Sequence, residues 1–167
     1  MTQALGCELN NRLAAISPMN GQLVMRYNCS PKYTSKMPIL KIWGTDDTIQ
    51  PGDTIIATPV EIFGNFRLSV YQVQYKYGQH NKCDVENTKY VSIPTVSDGI
   101  NEWQCVGYDQ CDFDQKGDKE IDGMSCSWNG GHEYPDNYTE TDSEKRDFGL
   151  NVMWNFFKDK RKIPSGY

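Results

Sequence analysis

Two short loops in this chain carry side chains able to move a proton. The first is GTDDTIQP, Gly44 to Pro51, with the adjacent acids Asp46 and Asp47. The second is NGGHEYP, Asn129 to Pro135, with His132, one of only 2 histidines in 167 residues. An imidazole changes charge near neutral pH, so it can take a proton from a hydroxyl and return it to a leaving group. A carboxylate beside it would fix the imidazole tautomer and stabilise the imidazolium that forms. Each loop also has a plainer reading. Asn129-Gly130-Gly131 is strong turn chemistry, because glycine takes positive φ without steric cost. An aspartate after a strand commonly caps the helix that follows. What sets the pair apart is its order, acid then histidine, with each loop directly following a short apolar run.

Those runs read as buried strands. MPILKIWGTDD places Ile39, Leu40, Ile42 and Trp43 between Pro38 and a polar turn, and DGMSCSW leads into the histidine loop in the same way. LAAISPMNG is a third such run, closed by Pro18 and the Asn20-Gly21 turn. Helices alternate with these runs. Residues 2–13 carry Ala4, Leu5, Leu9 and Leu13 near one face, and Ser69, Val70, Val73 and Tyr77 recur at helical spacing although their β-branched and aromatic content favours strand. SEKRDFGLNVMWNFFKDKR reads as an amphipathic helix with Ser143 as N-cap and Phe148, Val152, Met153, Phe156 and Phe157 on its apolar face. Between them, residues 84–122 are polar, with short strand-like pieces such as TKYVSIP. The expected fold class is therefore α/β: a parallel sheet with flanking helices. In such sheets functional groups collect at the carboxyl ends of the strands, where both loops fall.

Bulk properties narrow the partners. A net charge of -5 gives no electrostatic footprint for nucleic acid or an anionic membrane surface, and neither is expected as a partner. No apolar stretch approaches the ~20 residues of a membrane span. The 6 cysteines, Cys7, Cys29, Cys83, Cys105, Cys111 and Cys126, form no CxxC pair, and with 2 histidines they build no zinc site of ordinary spacing. No metal and no other cofactor is expected. Disulfides in an oxidising compartment are the better reading. Two N-x-S/T sequons, at Asn28 and Asn137, agree with secretion. The opening residues MTQALGCELNNRL lack the features of a signal peptide, so an export signal would have to lie ahead of them.

The segments CELNNRLAAISPMNGQL, CSPKYTSKMPILKIWGTDDTIQP, NKC, YDQC and GGHEYP together resemble the secreted esterases of the polyhydroxybutyrate depolymerase and feruloyl or acetylxylan esterase family. The likeness runs from Met1 to Phe157 and is poor over 84–122. It implies an α/β-hydrolase fold in which the acid is the fourth residue of GTxDxxxP, Asp47, and the base is the histidine of GGHxxP, His132. Asp46 then occupies a variable position, and His80, in YGQHNKC, matches nothing and is expected to face solvent. The order Ser…Asp…His is that of α/β-hydrolases. The nucleophile elbow G-x-S-x-G is absent: Ser125, in GMSCS, fails because Ser127 stands where the second glycine belongs. Family sequences run through that elbow into the helix with which this chain opens. Residues 1–167 are thus expected to be the C-terminal fragment of one α/β-hydrolase domain, its last three parallel strands with flanking helices, and its missing N-terminal half would carry the serine and both oxyanion donors. The implied partner is a polymeric or small ester substrate. The implied disulfides are Cys7–Cys29 and Cys83–Cys111, which leaves Cys105–Cys126 among the fifteen pairings that six cysteines allow.

Two other readings compete. Asp112, Asp114, Gly117 and Glu120 resemble a calcium loop, but from Asp112 position five is Lys116 and position twelve is Gly123, so a solvated acidic loop is the simpler account. A small secreted binding module held by three disulfides, without catalysis, would explain the cysteines and the missing serine. It would not explain an acid and a histidine in hydrolase order. Trp103, Tyr108, Trp128 and Tyr134 could line a pocket, though core packing is the ordinary role of such residues.

Overall fold

Ile39–Gly44 forms strand β1, and every one of its residues is buried. A strand covered on both faces is apolar throughout rather than alternating, which accounts for the run ILKIW apart from its lysine. The computed structural model describes residues 2–21, 23, 36–52, 60–62, 65–90, 103–108, 111, 123–133 and 148–160. Within them, helix α1 (Thr2–Glu8) precedes β1, and the strands β2 (Val60–Ile62) and β3 (Asn65–Arg67) pair as a separate antiparallel ribbon. Helix α2 (Val70–His80), strands β4 (Thr88–Tyr90), β5 (Trp103–Tyr108) and β6 (Gly123–Trp128), and helix α3 (Phe148–Phe157) follow.

The main sheet has the order β1-β6-β5-β4. Gly123 to Trp128 of β6 run parallel to Ile39 to Gly44 in register, so both strands end level with each other. On the far side of β1, residues 16–19 lie parallel through the bridges Ile16↔Ile39 and Met19↔Ile42. Pro18 has no N–H to give, and it takes part only as acceptor, its carbonyl receiving the Ile42 amide at 3.2 Å. Three parallel segments therefore lie side by side. The rest of the sheet departs from the parallel expectation: β5 pairs antiparallel with β6, and β4 antiparallel with β5. These two strands come from the polar stretch 84–122, whose pairing is set by non-local partners rather than by its own pattern.

The alternation of side chains along β1 divides the core. On one face Leu40 and Ile42 join Cys126, Met124 and Cys105 under Val152 and Phe156 of α3. On the other, Ile39 packs with Ile16, Leu23, Met37 and Leu68, beneath Cys7 of α1 and Val73 and Tyr77 of α2. Each fully buried aliphatic or aromatic side chain here contributes about 1.5–3 kcal/mol. Helix α2 begins with a capping box in which the Ser69 hydroxyl accepts the Gln72 amide and the Gln72 side chain accepts the Ser69 amide. Two orphan donors are thereby satisfied, and the helix forms despite its tyrosines and valines. Helix α1 ends at Glu8, short of Leu13, because Asn10 and Asn11 are poor helix formers.

Disulfides join Cys83 to Cys111 and Cys105 to Cys126, the two pairs expected within this region. They suit an oxidising compartment. The expected partner of Cys7, Cys29, lies outside the described residues, as do both sequons, Ser143, Tyr134 and the acidic loop tested for calcium. Among the described residues no helix is long and apolar enough to cross a membrane.

Candidate active site

The two loops leave the level ends of β1 and β6 and are tied together before any side chain is considered. Thr45 donates its amide to Trp128 O at 2.8 Å, and Asp46 donates to Gly130 O at 2.9 Å, which extends the ladder one step past the strands. Close approach is possible because both sides are glycine. A Cβ at Gly44 would run into the carbonyls of Gly130 and Gly131, and one at Gly130 would run into the Trp128 ring. Trp128 stacks on Trp103 at 6.4 Å; Trp128 belongs to the α3-side core, Trp103 packs against it, and Tyr108 is buried.

On this platform His132 Nδ1 lies 2.8 Å from Asp47 Oδ2, across 85 residues of sequence. The Asp47 side chain is wholly buried, whereas that of His132 is 36% exposed. The other oxygen of Asp47, Oδ1, accepts the amides of Ile49 at 2.9 Å and Gln50 at 2.7 Å. A carboxylate only accepts, so the imidazole nitrogen that faces it is the one bearing hydrogen, and in the neutral ring the lone pair is then on Nε2. Of the adjacent acids, only Asp47 turns inward. Asp46 is exposed and contributes through its backbone, while its carboxylate accepts from the Thr45 hydroxyl at 3.4 Å. Chemically the arrangement is that of an oriented base: a partly exposed imidazole held through Nδ1 by a buried countercharge.

His80 is not the solvent-facing loop residue that its polar surroundings suggest. It closes α2, is half-buried, and its Nε2 stands 3.5 Å from the side-chain Nδ2 of the buried Asn10.

Two residues near the site carried no functional reading in the sequence. Lys41 lies on β1 on the face shared with Ile39 and Trp43, 1% exposed, and its Nζ donates to Gly21 O at 2.6 Å. Burial pushes the Lys41 ammonium down to about 7, against the pull of the nearby Asp47 carboxylate in the other direction. A lysine inside an otherwise apolar buried strand is itself a sequence signal, since lysine is almost never fully buried without a partner. The second is Asn20, read from sequence only as a turn residue. Its Nδ2 donates to His132 O at 2.8 Å and to Glu133 O at 3.0 Å. Among the described residues no group of three His, Cys, Asp or Glu side chains converges as a metal ion would require.

Comparison with models of known protein families and with curated proteins yields no match to this chain.

Proposed function

We propose that Asp47 and His132 are the acid and base of a serine-esterase site. In this reading the chain is the C-terminal part of a secreted α/β-hydrolase domain that cleaves carboxylic esters, on a polymer such as a polyester or an acylated polysaccharide. The observation that carries the reading is the 2.8 Å contact between Nδ1 and Oδ2, formed by loops at the level ends of two parallel strands. That geometry matches what ester cleavage asks of a base. His132 Nε2 takes the proton of a serine hydroxyl as the oxygen attacks the ester carbonyl. It then gives the proton to the departing alcohol, and in the second half-reaction it activates water in the same way. Asp47 holds the ring and balances the imidazolium. The hydroxyl must come from a G-x-S-x-G elbow outside these residues, since none is present in the sequence. The paired cysteines agree with secretion. A disulfide-held binding module would account for the cysteines equally well, but it gives no reason for a buried carboxylate aimed at an imidazole.

The test is reconstitution. The chain alone is expected to hydrolyse p-nitrophenyl acetate no faster than free imidazole does. Joined to a segment supplying the serine elbow and its oxyanion donors, it should turn over, and His132→Ala should abolish most of that activity. A reconstituted protein indifferent to His132→Ala would overturn the proposal.

A further inference from the structure

The imidazole of His132 is only as well placed as the backbone that carries it, and that backbone is glycine-rich. Gly130 and Gly131 bring no side chains with which to pack the turn down. Up to Gly130 the turn is secured by main-chain bonds to Trp128 and Asp46. Beyond it, the carbonyls of His132 and Glu133 both receive hydrogen bonds from one group, Asn20 Nδ2. A carboxamide nitrogen has two hydrogens, so this one serves both carbonyls in full.

Asn20 stands on the segment 16–19 side of β1, whereas His132 follows β6 on the other side. The carboxamide therefore reaches across the end of β1 to the histidine turn. Its own position is fixed from below. The Asn20 amide donates to Ile42 O at 3.0 Å, and the next carbonyl, Gly21 O, is gripped by Lys41 Nζ at 2.6 Å and Gln3 Nε2 at 3.0 Å. Asn20 is 8% exposed and has φ 47, a left-handed conformation that asparagine tolerates far better than most residues. A backbone held in that unusual region, with two buried side chains securing the following carbonyl, aims a single donor group at the histidine turn.

We infer that Asn20 is a positioning residue, which clamps the His132 turn so that Nδ1 faces Asp47 and Nε2 is presented for chemistry. The inference rests on the proposed role of the Asp47–His132 pair and adds the group that holds the pair in register. It touches neither substrate nor reacting atoms.

The tautomer of His132 reports the clamp directly, and the chain as it stands suffices. With only 2 histidines, long-range proton–nitrogen spectra of the labelled protein give two imidazole patterns, assigned through His80→Gln. The neutral wild-type ring should carry its hydrogen on Nδ1. Asn20→Gly keeps the left-handed backbone and removes both donors. It should shift the ratio of Nδ1–H to Nε2–H forms by about tenfold or more, the scale of two lost hydrogen bonds, a change that loss of stability alone would not produce. Asn20→Asp, which places an acceptor against the two carbonyls, should shift it at least as far and serves if the glycine variant folds badly. Asp47→Asn should shift the tautomer as well. If it does and neither Asn20 variant does, the positioning role is wrong and the pair stands. If Asp47→Asn leaves the tautomer unchanged, the pair is not formed and both readings fall.

Discussion

The two faces of β1 are built from alternate residues of one strand and do different things. Leu40 and Ile42 enter a core of aliphatic, aromatic and disulfide groups beneath α3. Ile39, Lys41 and Trp43 enter the face under α1 and α2, where buried polar groups are frequent: Gln3, Lys41, Asn81 and Ser125 are each nearly inaccessible. Asn81 brackets Met37 with bonds to both its amide and its carbonyl, and Trp43 Nε1 donates to Ser125 Oγ. Apolar packing is strong but tolerant of sliding, whereas hydrogen bonds between buried groups have one satisfactory geometry. The α3 face holds the sheet together. The α1/α2 face fixes where the strand ends and their loops stand, and the cost of burying Lys41 is part of that arrangement.

The contrast can be broken most sharply at Lys41. Its folded pKa lies below the unfolded value, so between about 7 and 10.5 the unfolded chain binds a proton that the folded chain does not. Stability should therefore rise with pH through that window, with the contribution complete above 10.5 and lost as pH falls through 7. On the order of 5 kcal/mol is at stake over the whole window. Lys41→Met should flatten the dependence in denaturant titrations and gain stability at neutral pH, while loosening the Gly21 carbonyl. The titration is best stopped near pH 10, since burial pushes the Tyr108 phenol up to about 12 and that group works in the opposite direction. A pH dependence unchanged in Lys41→Met would mean that the lysine is not held in the interior.

On the apolar face Ile42→Ala should cost about 3 kcal/mol by cavity formation, read as a lower denaturation midpoint with no change in the His132 tautomer. A tautomer change there would show that the two faces are not separable in function. Gly44→Ala should cost about 2 kcal/mol, because its methyl group meets the carbonyls of Gly130 and Gly131. Unlike the Ile42 change, it should also part the two loops and release His132 from Asp47 in the same spectra.

Much of this was legible in the sequence, for reasons that differ by element. The runs PILKIW and GMSCSW were legible as buried strands because both faces are covered and the apolar character is continuous. Helix α2 carries its own start signal, the S-x-x-Q of Ser69 and Gln72, which outweighs its β-favouring residues. Strand β5 was not legible: Gln104 and Gly107 interrupt its pattern, and the strand exists through pairing with β6 and the Cys105–Cys126 bond. The site divides in the same way. Asp47 and His132 stand in recognisable loop motifs, whereas Asn20 acts through contacts more than 110 residues away in sequence, with separations of 112 and 113. A turn asparagine looks the same whether or not its side chain has a distant target.

In the proposed site Asp47, and not its neighbour, works with His132. The most direct test of this is a pair of substitutions in the protein reconstituted with a serine elbow. Asp47→Asn should lower kcat on the order of 10⁴ by leaving the ring in the wrong tautomer. Asp46→Asn, at an exposed carboxylate, should change it by no more than about twofold. The reverse pattern, with Asp46→Asn crippling and Asp47→Asn mild, would contradict the account.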